Sequence, residues 1–392
     1  MKSPDENLRE QIDILRFLLV FGLVFLHYGR FPGYDHNPWE GLVPTDHPVA
    51  TFTNSYFYFL FLSSVPLLSA ISGYLFFREV DHSAAFYLKR YRSRTRSVLL
   101  PMMSWNVISL VVAATVLTIY PNYGKILAYD VFHLRWQDII NALIGLTQNP
   151  ANFQFWFLRD LFLTVLCSPI LAFVIRRAPW TGFTVLCVVW LLNFNAWHVF
   201  HRPDVLFFFY IGAMARLLNW PVATMVTPRA GIIALVALLV LVGIRTLAPL
   251  FVPDDLPARE ALLNLWSDGL RLLGVVALWG VAPLLVSTYV GRMIGKVAAI
   301  AFFLHALHWP LNQFMKAWFV RMFPDHSDFT LLINFFGSSI LSVALTIVAA
   351  WVLNAVAPSV FDHLSGGRSR LWSAARNRVS RPMAEKVPQV GV

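Results

Sequence analysis

The stretch RFLLVFGLVFLH, residues 16–27, opens on an arginine, closes on a histidine and holds ten uncharged residues between them. With IDIL ahead of it, it reads as a membrane-crossing helix over residues 12–31, since about 20 apolar residues cover the hydrocarbon core. A permanent charge and a titratable ring on such a helix are costly. Eleven steps of about 100° bring Arg16 and His27 to within about 20° of one face, about 16 Å apart along the axis. One face of one helix therefore carries a cation at one end and an acid/base at the other. Two readings are open. Ionisable residues in membranes usually face a water-filled cavity or the bundle interior. Alternatively, Arg16 snorkels to the headgroups and His27 rests at the opposite interface.

The rest of the 392-residue chain repeats the membrane signature: 57% of it is hydrophobic and 13% charged, where a soluble domain is about one quarter charged. Apolar runs of helical length predict an all-α, polytopic transmembrane bundle of about ten helices. The expected spans are 12–31, 56–77, 97–120, 155–175, 182–200, 204–218, 230–250, 269–289, 297–320 and 329–355. The sixth is short enough to be partly re-entrant. Residues 126–147 carry charges and histidines and read as a surface amphipathic segment. Residues 1–360 are expected to form one membrane domain, and residues 361–392 a mobile basic tail. The first helix, preceded by a mixed-charge stretch and followed by no small-residue cleavage site, is expected to be retained. Cys167 and Cys187 both lie in apolar runs and read as fillers, with no disulfide framework or metal motif between them.

The net charge is +10. It is concentrated in KRYRSRTR (89–96), Arg176-Arg177, Arg216 with Arg229, Arg292 with Lys296, and the tail GGRSRLWSAARNRVSR. Counting ten helices, all five clusters fall on one side. By the positive-inside rule that side is the cytoplasm, with both termini there. This distribution sets topology. No nucleic-acid-binding motif accompanies it, so no nucleic-acid partner is expected, and P-loop, GxGxxG and GxSxG signatures are absent.

Four further features stand out. In 89–96, Lys89, Arg92 and Arg96 share one helical face and Arg90 and Arg94 another. Arginine's planar fork suits phosphates, although such a loop also serves as a plain anchor on anionic lipid. In FWFLRDLF (155–162), Arg159 and Asp160 are neighbours that project in different directions, so each is expected to need its own partner. In AIAFFLHALHWPL (299–311), His305 and His308 share a face, but no nearby carboxylate or cysteine completes a metal site, so no metal is expected. Arg271 is a further embedded charge. Ser72-Gly73 in LSAISGYLFF permits close backbone approach, either to a neighbouring helix or to a ligand.

Taken in order, these segments resemble the membrane acyltransferase-3 family of integral membrane O-acyltransferases. The family opens its first helix with an Arg, ten residues and a His, here IDILRFLLVFGLVFLH. It follows with a serine-glycine motif, here LSAISGYLFF, and a basic segment leading to a proline and aromatics, here RSRTRSVLLPMMSWN. A WFL segment opens the fourth helix, here FQFWFLRDLF, and a histidine-proline segment lies near the end, here LHWPL with Trp309 between His308 and Pro310. No single motif is specific; five in order are. No SGNH hydrolase domain of the kind attached to some members is expected.

The resemblance implies transfer of an acyl group, most often acetyl, from cytoplasmic acyl-CoA to a hydroxyl of an exopolysaccharide or other envelope glycan. It implies a bacterial inner-membrane location. It assigns the essential pair to Arg16 and His27. On this reading Arg16, Arg90, Arg94 and Arg96 hold the CoA phosphates. His27 acts as general base or forms an acyl-histidine. Arg159, Asp160, Arg271, His308 and Ser72 orient the acceptor or support His27. The main rival is a transporter or flippase of a lipid-linked sugar, which would also need intramembrane polar groups. The inverted repeats and broken helix pairs common in transporters are not visible.

Overall fold

Pro48, Pro203, Pro228 and Pro358 each stand at the head of a helix, where a missing N–H costs nothing. The Thr227 hydroxyl also caps the Pro228 start, and Ser83, Thr288 and Ser327 cap three others. The computed structural model describes residues 4–79, 83–120, 127–194, 199–325 and 327–367. Nearly all of the expected basic tail lies outside the described residues.

Among the described residues the chain forms sixteen α-helices and no strand. They are α1 (Pro4–Leu26), α2 (Pro48–Leu60), α3 (Ser64–Phe76), α4 (Ala84–Arg94), α5 (Leu100–Ile119), α6 (Trp136–Ile144), α7 (Trp156–Leu166), α8 (Ser168–Arg177), α9 (Pro179–Leu191) and α10 (Pro203–Leu217). There follow α11 (Pro228–Leu247), α12 (Arg259–Val286), α13 (Tyr289–Val297), α14 (Ala301–Met322), α15 (Asp328–Val356) and α16 (Pro358–Leu364). A π-helical turn, Thr95–Leu99, joins α4 to α5.

Each of the ten expected segments contains a helix, but among the described residues six continuous stretches are long and apolar enough to cross a membrane. These are Pro48–Phe76, Ala84–Ile119, Pro228–Leu250, Arg259–Val286, Tyr289–Met322 and Asp328–Val356. A seventh is α7 with α8, bent by 60° where Pro169 withholds its N–H. The reasons the others fall short are physical. α1 carries Arg9, Glu10, Asp13 and Arg16 within its first thirteen residues. α9 has 13 residues and α10 has 15, so α10 is about 22 Å long at 1.5 Å per residue, against a core of about 30 Å.

The short α10 is almost wholly buried, and glycine explains how. A Cβ on Gly73 of α3 would lie 2.1 Å from Phe209 O, and one on Gly212 of α10 would lie 1.8 Å from Ala70 O. The two backbones meet through these reciprocal notches. Gly231 of α11 and Gly280 of α12 make the same kind of contact, with a Cβ on Gly280 2.6 Å from Gly231 Cα. α1 runs through the centre, packed on α3, α12, α13, α14 and α15, with Ile12, Leu15, Leu19, Leu23 and Val24 buried. Its C-terminal end carries His27 into the interior.

Candidate active site

The end of α1 meets α14 through two imidazoles. His27 Nδ1 lies 3.0 Å from His308 Nε2, with the ring planes 15° apart. His308 Nδ1 lies 3.0 Å from the carbonyl of Leu304, one turn back on its own helix. His27 is 8% exposed and His308 is fully buried, and no carboxylate among the described residues pairs with either. An imidazolium here would be an unpaired buried charge, so both rings are neutral. The tautomers then follow. A carbonyl only accepts, so His308 Nδ1 carries the proton. His308 Nε2 therefore accepts, and His27 Nδ1 donates to it. His27 Nε2 is left with a lone pair and no hydrogen-bond partner among the described residues. A nitrogen so held can act as a base or a nucleophile in one orientation.

Aromatic rings lie beside the His27 imidazole. Phe153 meets His27 edge-on at 5.1 Å, and Trp309 meets Phe153 at 5.0 Å. Trp309 also packs on the segment that includes Leu127, Tyr129 and Ala142. Pro310 contributes by omission. Without its N–H, the Ala306 carbonyl is free, and Gln154 Nε2 donates to it at 3.1 Å. His305, a turn below His308, is buried against Phe155 and Phe157.

Arg159 and Asp160 depart from expectation. They do meet, at 2.7 Å and out of water, because the long arginine stem curls back over its neighbour. Each also holds loop backbone. Arg159 donates to Leu146 O at 3.0 Å and to Val199 O. Asp160 accepts from the amides of His201 and Arg202 at 3.2 and 2.9 Å. The pair thus ties two loops to the end of α7. Arg202, so placed, stacks on Trp156 at 5.0 Å.

Arg16, Arg90, Arg94 and Arg96 lie away from the imidazoles and divide as the helical faces require. Arg16 is 3.8 Å from Asp13, and Arg94 feels the charges of Arg16 and Arg90. Arg90 pairs with Glu79 at 3.2 Å and lies over Phe86. Lys89, Arg92 and Arg96 instead line an open groove of about 1000 Å³, closed on its other side by Asp362, His363 and Gly366. α16 is fastened there by Trp105 Nε1 donating to Leu364 O at 3.0 Å and by Ser104 with His363 at 2.8 Å. Gly366, at φ +72°, presses on Ser97 O, 2.4 Å from where a Cβ would sit.

Arg271 pairs with Asp268, three residues before it on α12. Ser72 donates to Leu68 O within α3 at 2.8 Å. The structure brings neither to the imidazoles. Among the described residues no group of three His, Cys, Asp or Glu could hold a metal. Sequence reading passed over Asn312 and Lys316. They follow His308 at four-residue steps, a polar stripe that the spacing alone discloses.

A membrane helix bundle with a buried, oriented imidazole at one end of its central helix defines a class. The chain belongs to the acyltransferase-3 family, whose model, described as an acyltransferase domain, matches residues 9–354. It is 27% identical over 374 residues to the succinoglycan biosynthesis protein ExoH of Rhizobium meliloti (strain 1021), covering 93% of this chain and 94% of that one. No solved structure matches.

Proposed function

We propose that this membrane acyltransferase moves acetyl from acetyl-CoA to a hydroxyl of an exopolysaccharide or related envelope glycan. The observation that carries the reading is the free lone pair of His27 Nε2, fixed by His308 and Leu304. The succinoglycan relative supports a polysaccharide acceptor. Beyond the six continuous stretches and the bent α7–α8 pair, we read the charged α1 and the short α9 and α10 as crossings of the bacterial inner membrane too, with both termini cytoplasmic.

The groove with Lys89, Arg92 and Arg96, and the neighbouring Arg16, Arg90 and Arg94, suit the phosphates of CoA through charge-assisted bonds. Its size and donor set fit that group. His27 Nε2 takes the proton of the acceptor hydroxyl as its oxygen bonds to the thioester carbon. The C–S bond breaks, and the same nitrogen returns the proton to the sulfur. If His27 attacks first, Nε2 bonds to the thioester carbon as the C–S bond breaks to thiolate; the acceptor oxygen then bonds to that carbon, the C–N bond breaks, and the hydroxyl proton passes to the thiolate. Both routes use the same lone pair. The Arg159–Asp160 pair holds the loops over the acceptor side. A flippase reading gains nothing from these groups.

The test uses membranes carrying wild type or His27→Ala, radiolabelled acetyl-CoA and an envelope glycan fraction. Label reaching glycan only with wild type supports the reading. No label from intact wild type, with acetyl-, succinyl- and butyryl-CoA and several glycan fractions tried, overturns it.

A further inference from the structure

The end of α1 is held by α14 at more than His27. In a regular helix Tyr28 N–H would bond to Val24 O, but it turns to Phe25 O at 3.1 Å. The released Val24 carbonyl accepts from Asn312 Nδ2 at 3.3 Å. Beyond the helix, Lys316 Nζ donates to Tyr28 O at 2.8 Å and to Arg30 O at 2.6 Å. The same nitrogen lies 4.1 Å above the Tyr28 ring. Tyr28 OH donates to Asn334 Oδ1 at 3.0 Å, and Asn334 Nδ2 donates to Lys316 O at 3.1 Å. Lys316, Asn334 and Tyr28 thus form a closed, buried ring joining α14 and α15 to the residue just past α1. No carboxylate among the described residues pairs with Lys316.

Terminal helix carbonyls left without partners are costly when buried, and they set where the last turn stops. His27 stands in that turn. His308, Asn312 and Lys316 lie at four-residue steps on one face of α14, so one helix face grips both the reactive ring and the backbone on either side of it. We infer that Lys316 is a positioning residue for His27, fixing the end of α1 so that the His27 ring meets His308. The inference rests on the acyltransfer role proposed for His27.

The test uses full-length protein in lipid nanodiscs with two readouts: acyl-transfer kinetics, and the rate of diethylpyrocarbonate modification of His27 followed by peptide mass spectrometry. Lys316→Met removes the donors at similar volume. It should lower kcat by about 100-fold, the cost of misplacing a reacting group by about 1 Å. KM for acetyl-CoA should stay within about twofold, and His27 modification should speed up about tenfold. Lys316→Arg, which keeps the donors, should recover most of kcat. Modification of His27 in Lys316→Met at the wild-type rate would overturn the inference, as would a loss confined to KM. Should Lys316→Met not accumulate, Lys316→Gln, keeping one donor, should give an intermediate rise in modification, and no rise would overturn it. If no protein, wild type included, transfers acyl groups, the proposed function fails, while the modification rates still decide whether Lys316 positions His27.

Discussion

His27 donates its Nδ1 proton to His308 Nε2, although 281 positions separate the two residues in sequence. The orientation of His27 Nε2 is therefore a property of α14 as much as of α1.

Replacing His308 by leucine should leave the protein folded and the His27 tautomer unfixed. General acid–base catalysis contributes about 10²–10⁴-fold, so kcat should fall by about 100-fold or more with little change in KM for acetyl-CoA. Steady-state kinetics in detergent decide it, and a variant retaining more than half of wild-type kcat would remove His308 from the mechanism.

The groove carries a different signature. Arg96→Ser should raise KM for acetyl-CoA about tenfold, the loss expected for a charge-assisted contact of about 1.4 kcal/mol, with kcat nearly unchanged. The wild-type KM should rise with ionic strength and the variant's should rise less. Equal salt dependence in the two proteins would place the CoA phosphates elsewhere.

Ser72 and Gly73 should part company. The Ser72 hydroxyl already bonds within its own helix, so Ser72→Ala should transfer acyl groups at close to the wild-type rate. Gly73→Val would drive atoms into the backbone of α10 and should cost about 1–3 kcal/mol or more. A thermal-shift series on the purified variants checks both.

Asp160→Asn leaves Arg159 buried without its partner, and breaking a buried pair costs about 3–5 kcal/mol. The expected result is a lower unfolding midpoint and faster proteolysis between residues 199 and 203. An unchanged midpoint would mean that the two loops are held by other contacts.

The helical segments and the one-face spacing of Arg16 and His27 were legible because apolar length and the helical period are local properties. The length and burial of each helix were not. α10 reads as an apolar run, yet its 15 residues and its glycine-tight burial against α3 depend on a partner far away in sequence. Arg159 and Asp160 illustrate a second limit. Helix geometry sends neighbouring side chains apart, but it does not describe how far a flexible stem reaches back. The stripe His308, Asn312, Lys316 was readable as a pattern. What it grips was not, because the unpaired carbonyls at the end of α1 exist only once Tyr28 N–H has turned to Phe25 O.

The bond from His308 to Leu304 O also sets a limit on proton traffic. A backbone carbonyl accepts a hydrogen bond but carries no proton onward, so the two-imidazole chain is closed at its inner end. In the general-base route proposed above, a proton taken up at His27 leaves by the nitrogen through which it entered and departs with the thiol. That proposed transfer is electrically silent across the bilayer, driven by the thioester alone and indifferent to the membrane potential.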